Sequence, residues 1–479
     1  MFNPKSLILI AMFAQCATMN LSQISAEEIK WEYALNGEAK ASKVSLTPFL
    51  YGKTWAYTVE LDDGGILAKD IAQPLLAEYK YTDAPPGVKG GKEMPFVGSA
   101  AVMSCNMAGG NGTVLSWEDV KFLLSKGWDI TNHSYWHTGC HWDKTKLLSP
   151  DQFKRELFWS QAIFSHYVYD DKKAPLTFVY PSGDYNYKPF LKEFNLLAGS
   201  RAGGNSAASI LDHKFDIFEL GRSNLDGLGT DKNKDPMGHF PKDNIKDGTL
   251  HIDFSHGINT KKDSENYRAW QERLKTISDK YGAMGADNVW CAPTAELVKY
   301  VLAAKSAKVD VAAGKVTLTI RADTSESRLT IFLEGIPESV KLDLPKDGLI
   351  YRQGDKTWIT TPVLGKPNPI PNPKVKIGYE GSFAPEIKFD KPMKVAAIRL
   401  QQSGAFAQGF TPKITFQLKD GGKKEFDSAR IHKWVGTGSR WGFWCLYPLL
   451  PDEDAVLANG IELATDPALK KVQVWVLEE

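Results

Sequence analysis

Two adjacent carboxylates follow directly on a β-rich stretch of the sequence. Residues 54–61 are rich in β-branched and aromatic side chains, and Asp62, Asp63 and Gly64 come next. Neighbouring carboxylates at a strand end point to different sides, so one can bind a cation while the other takes a proton from a nearby water. An acidic turn is the alternative interpretation, because Asp-Gly pairs are common in turns.

Two histidines separated by four positions supply candidate ligands for such a cation. His133 and His137 are the ends of the sequence His-Ser-Tyr-Trp-His, and residues 129–132 before them are typical of a short strand. On a helix, residues four apart share one face, and two imidazoles placed in this way suit a single divalent ion. His141 repeats the spacing, but three histidines along one helix would diverge too far for one ion.

Two further predicted strands end in polar groups. Residues 176–181 lead into Ser182, and residues 250–257 carry His256 at their carboxyl end. In parallel α/β barrels the active site is built at the carboxyl ends of several strands. Four strand ends with functional side chains therefore predict one common site.

The elements that must position these residues fall into two halves. Strand and helix patterns alternate from about residue 50 to 305, with capping signals at Ser116 and Ser149, which predicts a parallel sheet or barrel. After residue 305 the pattern changes to short alternating strands, and the proline-rich residues 365–373 form a natural joint. We therefore expect an all-β second half.

Composition and charge narrow the class of protein. The chain has 479 residues, which suggests two to four domains at roughly 150 residues each. It is 43% hydrophobic and 24% charged, as globular proteins are. Its 58 Lys and Arg balance 57 Asp and Glu, so no excess of positive charge is available for nucleic acid.

The first 26 residues resemble a secretory signal peptide. Lys5 precedes a short apolar run, and small residues lead to Ala26. The apolar run is far shorter than the ~20 residues that span a bilayer, and no later segment reaches that length. We predict a secreted or periplasmic protein without a membrane span.

Together the motifs resemble the polysaccharide deacetylases with the NodB-homology domain, carbohydrate esterase family 4. The resemblance covers roughly residues 50–305 and rests on the paired aspartates, the His-Ser-x-x-His sequence, the Phe178-x-x-Pro-x-Gly turn and the late His256. Residues 288–296 are similar to the segment that closes many such domains. The resemblance implies a distorted (β/α) barrel and metal-dependent removal of N- or O-linked acetyl groups from a polysaccharide or oligosaccharide.

The resemblance also implies a role for each of five residues. Asp63, His133 and His137 would be the metal ligands, with Zn2+ as the expected ion and Co2+, Ni2+ or Mn2+ as alternatives. Asp62 would be the general base and His256 the general acid.

The remaining implied contacts concern the substrate. A backbone N–H near Ser182, with Tyr180 beside it, would bind the oxyanion, and Arg201 and Trp136 are candidate substrate-binding residues. The family often has an arginine where this chain has Val179.

That arginine would orient the catalytic aspartate, so Asp62 needs another partner, with Arg201 or Arg222 as the candidates. The family also often has Thr-Phe before the aspartates, where this chain has Glu60 and Leu61. A fourth motif, which steadies the acid histidine in the family, is not recognisable in the sequence.

We predict four segments: a signal peptide (1–26), a deacetylase barrel (27–305), a small β domain (306–366) and a sandwich-like β domain (367–479). The last is a candidate carbohydrate-binding domain because Trp434, Trp441 and Trp444 could stack on sugar rings. The expected partner is an acetylated polysaccharide or oligosaccharide. Two alternatives remain: a non-catalytic glycan-binding protein with a degenerate barrel, and a metal-dependent amidase or esterase for a non-carbohydrate substrate.

Overall fold

The computed structural model describes residues 27–35, 41–105, 113–135, 137, 148–231, 233–242, 244–312, 314–402, 413–426, 444–448, 455–464 and 469–478. The predicted signal peptide, Trp136, His141, Trp434 and Trp441 lie outside these residues, as does the side chain of Trp444. Among the described helices, none combines the length and the apolar character needed to cross a membrane.

The first part of the chain alternates short strands with helices. Its strands are β1 (Glu28–Ala34), β2 (Lys43–Leu46), β3 (Trp55–Leu61), β4 (Lys80–Thr82), β5 (Glu93–Pro95), β6 (Ser99–Val102), β7 (Asp129–Asn132), β8 (Thr177–Val179), β9 (Ala198–Ala202), β10 (Ala207–Ser209), β11 (Leu220–Asn224), β12 (Thr249–Ser255) and β13 (Val289–Cys291). Its α-helices are α1 (Gln73–Ala77), α2 (Trp117–Ser125), α3 (Pro150–Tyr169), α4 (Glu265–Tyr281) and α5 (Thr294–Ser306). A π-helical segment (Ala68–Ala72) precedes α1, and 3-10 helices occur at Leu50–Gly52, Asp62–Gly64, Pro181–Gly183 and Tyr185–Phe194.

Seven of these strands close into a parallel barrel. Their order is β3, β6, β7, β8, β9, β11 and β12, and β12 pairs again with β3. The barrel is distorted because two strands share one edge of β3: β13 pairs with its first three residues and β6 with its last two. The predicted distorted (β/α) barrel is confirmed.

Local capping signals start the two helices beside the predicted histidine segment. The Ser116 side chain accepts the N–H of Asp119, whose carboxylate accepts the N–H of Ser116, and Ser149 and Gln152 form the same reciprocal pair. Both helix starts are as predicted. Within α3, Gln161 accepts a hydrogen bond from the Asn132 amide at 3.0 Å, which fixes the end of β7.

The rest of the chain is built from strands. They are β14 (Lys308–Ala312), β15 (Lys315–Arg321), β16 (Thr330–Glu334), β17 (Leu349–Gln353), β18 (Lys356–Thr360), β19 (Val375–Ser382), β20 (Glu386–Gln402), β21 (Ile414–Leu418), β22 (Lys423–Glu425), β23 (Trp444–Pro448), β24 (Val456–Leu463) and β25 (Leu469–Leu477). The last seven form one antiparallel sheet in the order β19, β25, β20, β24, β21, β22, with β23 also paired to β20. The predicted all-β second half is confirmed.

The N-terminal strands pair with this second half. β1 pairs antiparallel with β15, and β2 pairs antiparallel with β16. Both strands lie within the segment 27–305 that is predicted as the barrel segment, and both pair with strands that follow residue 305.

The C-terminal sheet shares a hydrophobic core with α3. Trp159 of α3 and Trp475 of β25 are both fully buried, and their ring centroids lie 6.0 Å apart in an edge-to-face arrangement. The Gln473 amide of β25 also donates to the Tyr167 hydroxyl at 2.6 Å. The sheet is therefore packed firmly against the barrel.

Asp129, at the start of β7, is a buried carboxyl group. The Ala295 N–H in the first turn of α5 donates to its Oδ2 at 2.7 Å. Burial raises the pKa of Asp129 from 3.8 to about 7, with Glu60 and Glu296 adding to the rise. This pKa is higher in the folded than in the unfolded chain, so protonated Asp129 stabilises the folded protein. That contribution to the free energy of unfolding is fully present below about pH 4 and is lost as the pH rises through about 7.

We therefore expect Asp129→Asn to remove a pH dependence of stability. Between pH 5 and 8 the free energy of unfolding of the wild type should fall by about 3 kcal/mol relative to that of the variant. Urea unfolding of both proteins at the two pH values measures this difference. A constant difference across the range would contradict the raised pKa.

Candidate active site

The register of β3 and β12 places the paired aspartates beside His256. Leu61 pairs with Ser255, so the residues that follow both strands emerge at the same mouth of the barrel. Asp63 adopts a left-handed backbone with φ 68°. Its Oδ2 lies 3.9 Å from His256 Nε2. The side chains of Asp63 and His256 are about half exposed, at 44% and 50%, so a substrate can reach them.

His133 follows β7 directly and is held in one orientation. Its backbone N–H donates to Val102 O at 3.0 Å, and its Nδ1–H donates to Val179 O at 2.8 Å. Because Nδ1 carries the proton, Nε2 presents its lone pair. This atom is buried, has no hydrogen-bond partner among the described residues and lies 3.5 Å from Asp63 Oδ1.

His137 reaches the same point through a turn rather than a helix. The predicted helical arrangement of the two histidines is wrong, because Ser134 and His137 have φ of 64° and 56°. The Asn132 side chain accepts the Ser134 N–H, and Ser134 Oγ accepts the His137 N–H, both at 2.8 Å. These local bonds compete with helical ones. The turn brings the two imidazole centroids within 4.6 Å.

Asp63, His133 and His137 fit a divalent cation. One ligand atom from each lies within 4.8 Å of the other two, and Asp63 Oδ1 is 3.5 Å and 3.7 Å from the two Nε2 atoms. Two ligands that each lie about 2.1 Å from a tetrahedral ion are separated by roughly 3.4 Å, which matches these distances.

The protonation states also suit metal binding. Burial and the neighbouring His133 lower the pKa of His137 to about 4, so its imidazole is neutral at pH 7. Burial acts to raise the pKa of Asp63, but His133, His137 and His256 hold it well below its ordinary value. A carboxylate and a neutral imidazole are the forms that ligate Zn2+, Co2+, Ni2+ and Mn2+.

Arg222 is the partner of Asp62. Its two terminal nitrogens donate to Asp62 Oδ1 at 2.7 Å and Oδ2 at 2.9 Å, and one of them also donates to Glu60 Oε2 at 2.9 Å. All three side chains are almost fully buried. The arginine that the family carries at Val179 on β8 is therefore replaced by one from β11, and Arg201 does not take this role.

Asp226 is a site residue that sequence reasoning missed. Its Oδ2 lies 2.7 Å from His256 Nδ1, and its Oδ1 accepts the His256 N–H at 2.9 Å. The hydrogen bond that His256 donates to Asp226, with further contributions from the charges of Asp62 and Asp63, raises the pKa of His256 to about 9 against the effect of burial. Asp226 is followed by Gly227, as Asp63 is followed by Gly64, so the Asp-Gly pair is a signal that could also have found it.

The structure excludes Tyr180 as an oxyanion donor. Its N–H donates to Ser200 O at 2.9 Å within the barrel, and its hydroxyl donates to Phe218 O at 2.8 Å. The N–H and the hydroxyl of Tyr180 therefore already donate to backbone carbonyl groups of the protein. Ser182 follows on a turn after β8 with φ 53° and is partly exposed, so it remains the candidate for this role.

Arg201 lies at the end of β9, two strands from His133. Its guanidinium carbon lies 4.1 Å from the centroid of the Tyr185 ring, a cation–π contact that holds the side chain in place. Arg201 is partly exposed and remains a candidate for substrate binding. Trp136, the other candidate, lies outside the described residues.

Comparison with known proteins finds one protein family whose model matches part of the chain. Residues 91–195 match the family model described as polysaccharide deacetylase, which confirms the resemblance seen in the sequence. The match includes His133, His137 and Ser182, whereas Asp62, Asp63 and His256 lie outside it and join these residues only through the fold.

No curated protein matches the chain. A solved structure of the Streptococcus pyogenes deacetylase PplD in complex with acetate is 16% identical, and the match covers 38% of this chain and 82% of that one. Its TM-score of 0.27 is too low to show a common fold.

Proposed function

We propose that this chain, which carries a polysaccharide deacetylase domain, is a metal-dependent hydrolase that removes acetyl groups from a polysaccharide or oligosaccharide. One observation carries the proposal. The carboxyl ends of three barrel strands bring Asp63, His133 and His137 together as a cluster of metal-ligand type. An oxygen of Asp63 lies within 4 Å of the imidazole of His256, which is itself paired with a carboxylate. A degenerate glycan-binding barrel would have no need for this arrangement.

The chain's own residues supply the acid and the base. Asp63, His133 and His137 would hold the cation, which when bound supplies Lewis-acid chemistry that polarises a carbonyl and eases the ionisation of water. Asp62 takes the proton of the attacking water. Arg222 occupies one lone pair on each Asp62 oxygen, so the carboxylate is fixed in place and can still accept a proton.

His256 completes the reaction as the general acid. With a pKa of about 9 it is protonated at neutral pH and can donate to the leaving nitrogen or oxygen. A sugar amine leaves poorly unless it is protonated, and a sugar alkoxide also benefits, so the same residues serve N-acetyl and O-acetyl groups. A backbone N–H near Ser182 donates to the developing oxyanion.

Asp226 should set the alkaline limit of activity. The rate on an N-acetyl sugar should fall as the pH rises through the pKa of His256, because deprotonated His256 gives no proton to the leaving amine. In Asp226→Asn only Asp62 and Asp63 still raise this pKa, so we expect the alkaline limb to move down by about one pH unit or more. Values of kcat from pH 5 to 10 measure the shift.

Ser255→Ala is the matched control for this measurement. It removes the hydroxyl that donates to Asp226 Oδ1 at 3.0 Å but leaves the bond between Asp226 and His256. We expect its alkaline limb to stay close to that of the wild type. An alkaline limb that does not move in Asp226→Asn would contradict the acid role of His256.

The substrate class is tested by acetate release. Because residues 1–26 predict export, we propose acetylated glycans outside the cytoplasm as substrates. A panel of chitin-like, xylan-like and peptidoglycan polymers, with their oligosaccharides, is compared with small acetyl esters and amides that contain no sugar. We expect release from at least one glycan, and release at least about 100-fold slower with Asp62→Asn. Cleavage of the non-sugar compounds alone would favour a different amidase or esterase.

A further inference from the structure

Tyr135 lies between the two histidine ligands but faces the C-terminal sheet. Its side chain is fully buried, and Arg399 of β20 donates through Nε to its hydroxyl at 3.4 Å. The guanidinium carbon lies 5.9 Å from the centroid of the Tyr135 ring. One side chain of the second half of the chain therefore contacts the turn that carries both His133 and His137.

The barrel holds the backbone of Tyr135 from the other side. Its N–H donates to Glu156 Oε2 of α3 at 2.9 Å, and its carbonyl accepts the N–H of Cys105 at 3.2 Å. Tyr135 is two residues from each histidine. Any rotation of its backbone would move both imidazoles relative to Asp63, which lies on a different strand.

Arg399 is itself held by a chain of buried polar groups. One terminal nitrogen donates to Gln473 Oε1 at 2.9 Å, and the Gln473 amide donates to Tyr167 of α3 at 2.6 Å. Arg399 is 1% exposed. Burying an arginine is costly, and apolar side chains of similar volume would give an interface at least as stable. This cost indicates a role other than stability.

We propose that Tyr135 and Arg399 are positioning residues for the metal ligands, so that the C-terminal sheet helps to determine the geometry of the metal site. The inference rests on the proposed metal-binding function. Through Tyr135, Arg399 fixes the turn in the geometry that brings His133 Nε2 and His137 Nε2 within 3.5 Å and 3.7 Å of Asp63. Residues that orient metal ligands typically change metal affinity 10–100-fold when they are substituted.

Metal binding by the full chain tests the proposal without reference to activity. The protein is stripped with a chelator, dialysed and titrated with Co2+, whose visible absorption reports both affinity and ligand geometry. We expect Tyr135→Phe and Arg399→Met each to weaken Co2+ binding about tenfold and to alter the absorption spectrum. The double variant should bind about as weakly as the weaker single one, because the two residues act as one unit. Arg399→Lys, which keeps a donor and the charge, should recover part of the loss.

Tyr167→Phe is the matched control at the same interface. It removes the bond from Gln473 to α3 but leaves Tyr135 and Arg399 unchanged. We expect it to lower the Tm slightly and to keep Co2+ affinity within about twofold of the wild type, since it leaves the ligand-orienting bond in place. Should Arg399→Met fail to fold, Tyr135→Phe, which loses a single oxygen atom, still decides the question.

Two results would overturn the proposal: unchanged Co2+ affinity in Tyr135→Phe, or an equal loss of affinity in Tyr167→Phe. Failure of the wild type itself to bind Co2+ would instead overturn the proposed metal site.

Discussion

Replacing Asp62 by asparagine should lower kcat by at least about 100-fold while the protein still folds and still binds metal. Asparagine keeps the shape of the side chain and can accept a hydrogen bond from Arg222, but it cannot take a proton from water. Arg222 also retains its bond to Glu60 at 2.9 Å, so its charge is not left without a partner. We expect a loss of stability of about 1–3 kcal/mol. Steady-state kinetics, urea unfolding and a Co2+ titration measure the three quantities.

Glu60→Gln is the matched control for Asp62→Asn. It removes the other carboxylate that Arg222 contacts, but Glu60 is fully buried on β3 below the mouth and cannot meet the substrate. Its stability should fall by a similar amount, whereas kcat should fall less than about tenfold. Equal losses of kcat in the two variants would show that the ion pair is structural and that Asp62 is not the base.

Removing the His137 imidazole should weaken metal binding at least about 100-fold, because His137→Ala leaves two ligands where the site needs three. His137 is a suitable position because its side chain is 27% exposed and lies in a turn, so its loss leaves no large buried cavity. Zn2+ affinity by calorimetry, with a competing chelator, measures the change. kcat/KM at a limiting Zn2+ concentration should fall in parallel.

His213→Ala controls for the loss of a histidine in general. The His213 side chain is 85% exposed, and it is not one of the three residues that form the candidate metal site. We expect its Zn2+ affinity to equal that of the wild type. Wild-type affinity in His137→Ala would rule out the proposed ligand set, whatever the effect on activity.

The sequence predicted the features that depend on local signals. Ser116 and Ser149 start α2 and α3 where their capping patterns predict, and the carboxyl ends of the predicted strands carry the residues that the barrel assembles. In parallel strands, the residues that follow neighbouring ends emerge on one side, so their proximity follows once the strands are placed.

The features that were missed or left open depend on contacts between distant segments. Arg201 and Arg222 were alternative partners for Asp62, and only the contact across 160 positions of sequence selects Arg222. Asp226, which was missed, reaches His256 only because β11 pairs in parallel with β12. The Asn132 side chain, which α3 holds in place, determines the turn from Ser134 to His137. The four-residue spacing of the two histidines therefore predicted a helical backbone where the chain forms a turn. β1 pairs with a strand nearly 300 residues later, which no local pattern reports.

Acetate release from one acetylated oligosaccharide tests metal-dependent deacetylation directly. It is measured with the full chain before metal removal, after metal removal, and after Zn2+ is restored. Elemental analysis verifies the metal content at each step. We expect release to fall to background when metal is removed and to return with Zn2+ in the wild type, whereas Zn2+ should leave Asp62→Asn at least about 100-fold slower. Undiminished release by metal-free protein, or no release by the metal-loaded wild type on any acetylated glycan, would contradict metal-dependent deacetylation.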